Sequence, residues 1–155
     1  MSKYNFFKPN VLDIEKMQKL VARDVENGNI LDRNYNEMAT TIRSYTAVND
    51  GDETIGFIAL HIHTVELAEI RSLVVKENYR NHGIAKELIQ RAIDEAKSLG
   101  LERLLVLTYK KELFEFFNFI EIPKESIPET KIWADCIKCK HFPVCDEVSL
   151  LLDIK

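Results

Sequence analysis

Residues 67–99 read LAEIRSLVVKENYRNHGIAKELIQRAIDEAKSL, and three kinds of sequence follow one another within them. The first nine residues are dominated by Leu, Ile and Val and predict a strand. The next eight, KENYRNHG, are polar and carry Arg80 and Gly83. From Ile84 the apolar residues recur at helical spacing, at Ile84, Leu88, Ala92 and Ala96, which predicts a helix opened by Gly83. A helix start leaves its first backbone N–H groups unpartnered and carries partial positive charge. A glycine there lets a ligand approach the backbone closely, and a nearby arginine adds a fixed cation. Strand, glycine turn and helix start together predict a site for phosphate groups.

Composition bounds what such a site can serve. At 155 residues the chain has the length of a single domain, expected to span 1–155, that can bury a core without staples. The formal net charge is −4 and the basic residues are scattered through predicted helices, so no footprint for nucleic acid is present. An acidic nucleotide must therefore be held by local positive features. No apolar leader opens the sequence and no apolar run is long enough for a membrane span, so no membrane partner and a cytoplasmic location are expected. The three cysteines, within ten residues near the end, do not make a disulfide framework in that setting.

Outward from the central stretch, residues 4–7 predict a short strand. Asn10 with Asp13 forms a capping-box start for a helix whose stripe is Ile14, Met17, Val21 and Val25. Asn27-Gly28-Asn29 predicts its stop. Asn34 with Glu37 offers a second capping box for a short helix through Arg43. Residues 44–48 and 54–64 flank Asn49-Asp50-Gly51-Asp52, a hairpin signal. The second of these strands is apolar on both faces, as a covered central strand is, and His61 and His63 fall on one face of its far end. That pair reads either as zinc ligands lacking a third partner or as strand histidines beside a cleft or solvent. Gly100 ends the long helix. A buried strand (103–108), a short helix (111–117), a left-handed cap at Asn118, a strand (119–122), an irregular region (123–143) and a closing strand (148–154) complete the chain.

The six residues Arg80-Asn81-His82-Gly83-Ile84-Ala85 resemble the acetyl-CoA motif of the GNAT N-acetyltransferases, Arg/Gln-x-x-Gly-x-Gly/Ala. The dinucleotide pattern G-x-G-x-x-G and the P-loop ending are both absent. The resemblance implies the GNAT fold of the α/β (α+β) class, a mixed, mostly antiparallel sheet flanked by helices, with acetyl-CoA as cosubstrate. Three further stretches narrow it: Asn29-Ile30-Leu31-Asp32-Arg33, Glu69-Ile70-Arg71-Ser72-Leu73-Val74-Val75, and Leu105-Val106-Leu107-Thr108 followed by Phe116-Phe117-Asn118-Phe119. Together they resemble the acetyltransferase domains of the N-acetylglutamate synthases over residues 4–122, in a short form with no room for the kinase-like domain of the larger synthases. Within that family a homodimer is common.

The resemblance implies roles position by position. Glu69 matches a general base acting through water, and Thr108 a hydroxyl that helps protonate coenzyme A. Arg33 matches an arginine that holds a substrate carboxylate. Ser72 falls where a backbone group contacts substrate, and Leu73, Val74 and Val75 lie along the pantetheine arm, ahead of the Arg80–Ala85 motif. The family's frequent tyrosine acid is replaced by Phe114, which excludes a tyrosine acid at that position. The second carboxylate-binding cation of the larger synthases has no direct match; Arg71, Lys138 or Lys140 could replace it.

Chemistry points the same way. An ammonium must lose a proton before it attacks a thioester, so a carboxylate within reach is needed, and burial of Glu69 in an apolar strand would raise its pKa toward a useful range. A structural reading stands beside this, in which Glu69 pairs with Arg71 or Lys86. Arg33 reads equally as an exposed loop charge or a helix-flanking ion pair, and Thr108 as an ordinary strand end. Cys136, Cys139, His141 and Cys145 supply ligands enough for one zinc or, equally, reduced cysteines that help fold a tail; no metal is assigned. The expected function is transfer of acetyl from acetyl-CoA to the α-amine of a small acidic amino acid, glutamate first, as in arginine biosynthesis. Another small amine, a protein N-terminus, or a non-catalytic acetyl-CoA-binding module are the alternatives.

Overall fold

The helix starts form where the sequence supplies caps. The Asn10 side chain accepts from Leu12 N at 2.8 Å while the Asn10 N–H donates to Asp13 Oδ2 at 2.8 Å. Donors that a helix start would leave open are thereby satisfied reciprocally. One 3-10 turn, Val11–Asp13, leads into α1 (Ile14–Glu26). Asn34 repeats the device, accepting from Glu37 N at 2.8 Å at the head of α2 (Tyr35–Thr40). The computed structural model describes residues 3–26, 34–127 and 147–155. The stop at Asn27-Gly28-Asn29 and the cysteine-bearing tail lie outside them.

The remaining elements follow the predicted order, with β1 at Asn5–Phe7, β2 at Tyr45–Asp50, β3 at Glu53–Ile62 and β4 at Leu67–Val75. After these come α3 (Ile84–Ser98), β5 (Arg103–Thr108), α4 (Lys111–Glu115), β6 (Ile120–Ile122) and β7 (Val148–Asp153). The β2–β3 turn is tighter than the sequence suggested, because the ladder continues to the Asp50–Glu53 pair. The helix after β5 is shorter, because its last turn closes onto Asn118, which takes φ 72 as expected of a cap. Among the described residues the strand order is β1-β2-β3-β4-β5-β7-β6. β4 and β5 pair in parallel, since α3 intervenes, and β1–β2, β2–β3, β5–β7 and β6–β7 pair antiparallel.

The chain forms two compact units, Met1–Leu60 with Ser72–Ala92 and His61–Arg71 with Ile93–Lys155. In the first, Ile14, Met17 and Val21 of α1 pack with Met38, Tyr45, Ala47, Phe57, Ala59 and Val74. Each such side chain contributes about 1.5–3 kcal/mol by leaving water, so docking of the stripe rather than intrinsic propensity holds α1. The Tyr45 and Phe57 rings meet edge to face at 5.6 Å. In the second unit Leu104, Leu105 and Val106 of β5 and Leu150 of β7 are buried, and Phe114 meets Phe119 edge to face at 5.4 Å.

Gly56 on β3 marks the closest approach in the first unit. A Cβ there would stand 2.8 Å from the Val74 carbonyl oxygen, 3.2 Å from Val48 Cγ1 and 3.6 Å from Leu88 Cδ1. A backbone carbonyl within a ladder cannot withdraw as a side-chain tip can. Gly56→Ala is therefore expected to destabilise the fold by about 1–3 kcal/mol, seen as a lower urea midpoint with unchanged m-value.

Candidate active site

One group of candidate residues lies in the loop between β4 and α3. The Gly83 carbonyl accepts the first helical hydrogen bond, from Glu87 N at 3.0 Å, so Gly83 is the N-cap of α3. It holds φ 81, a conformation that costs glycine little, and nothing lies within 4 Å of where a Cβ would stand. The N–H groups of Ile84 and Ala85 belong to the first turn, where a helix makes no hydrogen bonds of its own. Arg80 and Asn81 to Gly83 are exposed, Asn81 is left-handed at φ 66, and Arg80 Nε donates to the Val75 carbonyl at 3.2 Å. That bond fixes the guanidinium at the end of β4, where Val74 and Val75 are buried and Leu73 is half-buried. Amides, an open glycine and an anchored cation suit a pyrophosphate.

The loop is tethered from outside the motif. Tyr79 donates its hydroxyl to Asp50 Oδ2 at 2.8 Å, the Tyr4 ring stands edge-on to Tyr79 with centroids 6.1 Å apart, and Tyr4 Oη lies 3.5 Å from His82 Nδ1. The carboxylate that accepts from Tyr79, helped by desolvation, pushes its phenol up to about 12. Lys76, at the loop's start, pairs with Glu53.

A separate candidate, within the second compact unit, is a carboxylate. Glu69 is 1 % exposed, and its Oε1 lies 2.9 Å from His63 Nε2, with the imidazole equally buried. The His61 ring stands edge-on to His63 at 4.7 Å, so the His-x-His pair does share one face. A tight turn positions the imidazole. His63 N donates to the Leu67 carbonyl at 2.9 Å, and Thr64 Oγ1 accepts from Glu66 N at 3.2 Å and Leu67 N at 3.1 Å. The sequence named Arg71 or Lys86 as structural partners for Glu69; His63 is a partner it did not name. The available signal was a histidine six residues before a buried acid across a short turn, a spacing at which adjacent strand ends meet. Among the described residues no three His, Cys, Asp or Glu side chains gather at metal-binding distance.

The other predicted residues fall as follows. Thr108 ends β5 half-buried, and its hydroxyl accepts from Lys110 N at 2.9 Å, which leaves its own O–H to donate elsewhere. Phe114 is 1 % exposed and belongs to the apolar interior. Ser72 is half-buried with φ 58, and Arg71 beside it is half-buried. Arg33, Lys138, Lys140, Cys136, Cys139, His141 and Cys145 lie outside the described residues.

The model of the Acetyltransferase (GNAT) family matches residues 10–117. The chain belongs to the GNAT acetyltransferase family. It is 32% identical to an uncharacterised N-acetyltransferase of Chlorobaculum tepidum over 90% of this chain and 89% of that one. An amino-acid acetyltransferase of Mycobacterium tuberculosis is 30% identical over 76% of this chain and 68% of its own length. The fold is similar to that of N-acetylglutamate synthase from Neisseria gonorrhoeae, solved with coenzyme A and N-acetyl-glutamate, at a TM-score of 0.86 and 19% identity. That likeness covers 100% of this chain and 36% of the synthase. The protein is thus an acyltransferase of the GNAT type that uses acetyl-CoA. The described residues contain no helix long and apolar enough to cross a membrane.

Two outcomes are expected for this loop. With Arg80 as the proposed pyrophosphate cation, Arg80→Ala would remove a charge-assisted contact worth about 1.5–3 kcal/mol, and the KM for acetyl-CoA should rise roughly ten- to hundredfold with kcat nearly unchanged. For Tyr79, the folded-state pKa lies above the ordinary value of 10.0, so its bond to Asp50 stabilises fully below pH 10 and loses effect as pH rises through about 12. Urea midpoints of wild type and Tyr79→Phe should differ by a constant gap from pH 7 to 9 and converge between pH 10 and 12.

Proposed function

We propose that the protein acetylates the α-amine of a small acidic amino acid, L-glutamate first, with Glu69 as the base. The observation that carries this is a buried carboxylate on β4, the strand that runs directly into the acetyl-CoA loop. Acetyl-CoA supplies the acetyl group. Residues 73–75 and the Arg80–Ala85 loop hold the coenzyme, and Glu69 takes the proton that the ammonium must lose, directly or through one water. The Thr108 hydroxyl provides a proton toward the departing sulfur.

The acidic acceptor rests on similarity to an amino-acid acetyltransferase and on the cations available. Glutamate presents two carboxylates, and a protein of net charge −4 must meet them with local cations. Arg33 in the I-L-x-R loop and Arg71 beside the base are assigned to them, each as a planar fork suited to a carboxylate, with the Ser72 backbone at the substrate. Arginine biosynthesis is the matching pathway.

A panel of the twenty amino acids, amine analogues and an N-terminal peptide, followed by release of free thiol from acetyl-CoA, tests the acceptor. L-Glutamate should give the highest kcat/KM; good turnover of another amine with none for glutamate would overturn that acceptor. Glu69→Gln should lower kcat by about 10²–10⁴-fold, with the KM for acetyl-CoA within twofold of wild type.

A further inference from the structure

We propose that His63 is the positioning residue for Glu69 and that the two side chains accept the substrate proton as one unit. The inference rests on the reading of Glu69 as the base. Glu69 and His63 side chains are 2% and 3% exposed and share a 2.9 Å hydrogen bond. A buried carboxylate without a partner is costly, and an imidazole N–H directed at Oε1 offsets that cost in the resting enzyme. A backbone amide or an asparagine would do this as well. An imidazole does something they cannot, because its second ring nitrogen can take up a proton while the first goes on donating.

The proton count makes this useful. An ammonium substrate gives up two protons on its way to an amide. One ends on the sulfur of coenzyme A, and the other must reach solvent. The second one is taken first, before the amine can attack. If it arrives at Glu69, it rests on Oε2 as a carboxylic acid whose Oε1 still accepts from His63 Nε2–H; if it arrives at Nδ1 of His63, it rests as an imidazolium whose Nε2–H still donates to the carboxylate. Either state keeps the 2.9 Å bond, so no buried group is left unpaired while the proton waits. No bond other than those to hydrogen changes in this step, and no electrons are transferred.

The charged and titratable groups around the imidazole set its bias. His61 meets it edge-on at 4.7 Å from the same strand end, Glu69 faces it from β4, and Arg71 lies two residues further along β4.

The test is the kcat–pH profile of His63→Gln, with the amine that gives the highest turnover in the panel as acceptor. Glutamine keeps an N–H for Oε1 but cannot take a proton. The expected result is a kcat about tenfold lower, a KM for acetyl-CoA within twofold of wild type, and an acidic limb displaced by at least one unit to lower pH. His63→Leu, which removes the donor too, should lose more than the glutamine variant. Thermal melting and acetyl-CoA binding show that each variant is folded. If folded His63→Gln keeps the wild-type acidic limb, the proposal is overturned and His63 is packing alone. If Glu69→Gln turns over at the wild-type rate, the base assignment itself fails, an outcome distinct from an inactive Glu69→Gln with an unmoved limb in His63→Gln.

Discussion

The interior of the second unit is organised by the need to partner one buried carboxylate. Glu69 sits at a register position opposite Leu105 of β5, in a strand pair whose other residues Ala68, Ile70, Leu104 and Val106 are all buried and apolar. A carboxylate left alone there would cost several kcal/mol. His63 meets the need only because the chain reverses within residues 63–66, where the Thr64 hydroxyl collects two backbone N–H groups and the His63 amide reaches back to Leu67. The turn is therefore part of the site. It converts a nearby histidine into a histidine aimed at one oxygen.

A second constraint acts further along the same strand. Between the bond from His63 N to Leu67 O and the bond from Lys76 N to Ile55 O, β3 spends eight residue steps and β4 spends nine. The extra residue appears as Ser72, a non-glycine at φ 58. A residue inserted into one strand breaks the strict alternation of faces, so Glu69 and Val75 need not follow the parity that an unbroken strand would impose. Left-handed serine is mildly strained, and strain of this sort in mid-strand persists where surrounding structure over-determines it. Ser72 stands between the carboxylate and the residues assigned to the pantetheine arm.

What the sequence disclosed follows from how local each signal is. The strand Leu67–Val75, the cap at Gly83 and the stripe Ile84, Leu88, Ala92, Ala96 depend on neighbours within a few residues, and all appear as read. Both asparagine capping boxes are equally local. The Glu69–His63 bond is not, since it needs a turn geometry that neither residue encodes. The His-x-His spacing points to metal, a cleft or solvent, because the pattern does not say which side chain lies across the hairpin. The Tyr79–Asp50 tether joins positions 29 apart and left no periodic trace. Ser72 lacked a glycine to announce its backbone.

The same distinction separates donor from acceptor. A pyrophosphate is held largely by backbone amides and a glycine, so its site is written as a short contiguous pattern and carries over from one family member to another. An amine acceptor is chosen by side chains from separate segments, whose spacing in sequence is free to vary. A dicarboxylate acceptor imposes a sharper demand than a neutral amine, because each carboxylate leaving water needs a cation of its own, and a lone arginine leaves one of them exposed to the field of a net-negative protein. Arg71 is placed two residues from the base, a spacing that puts successive side chains on one face of a strand. An arginine there would draw a substrate carboxylate toward Glu69, the group proposed to deprotonate its amine. The two requirements conflict unless the base is screened, and a histidine bonded to Glu69 provides that screening while leaving the proton somewhere to go.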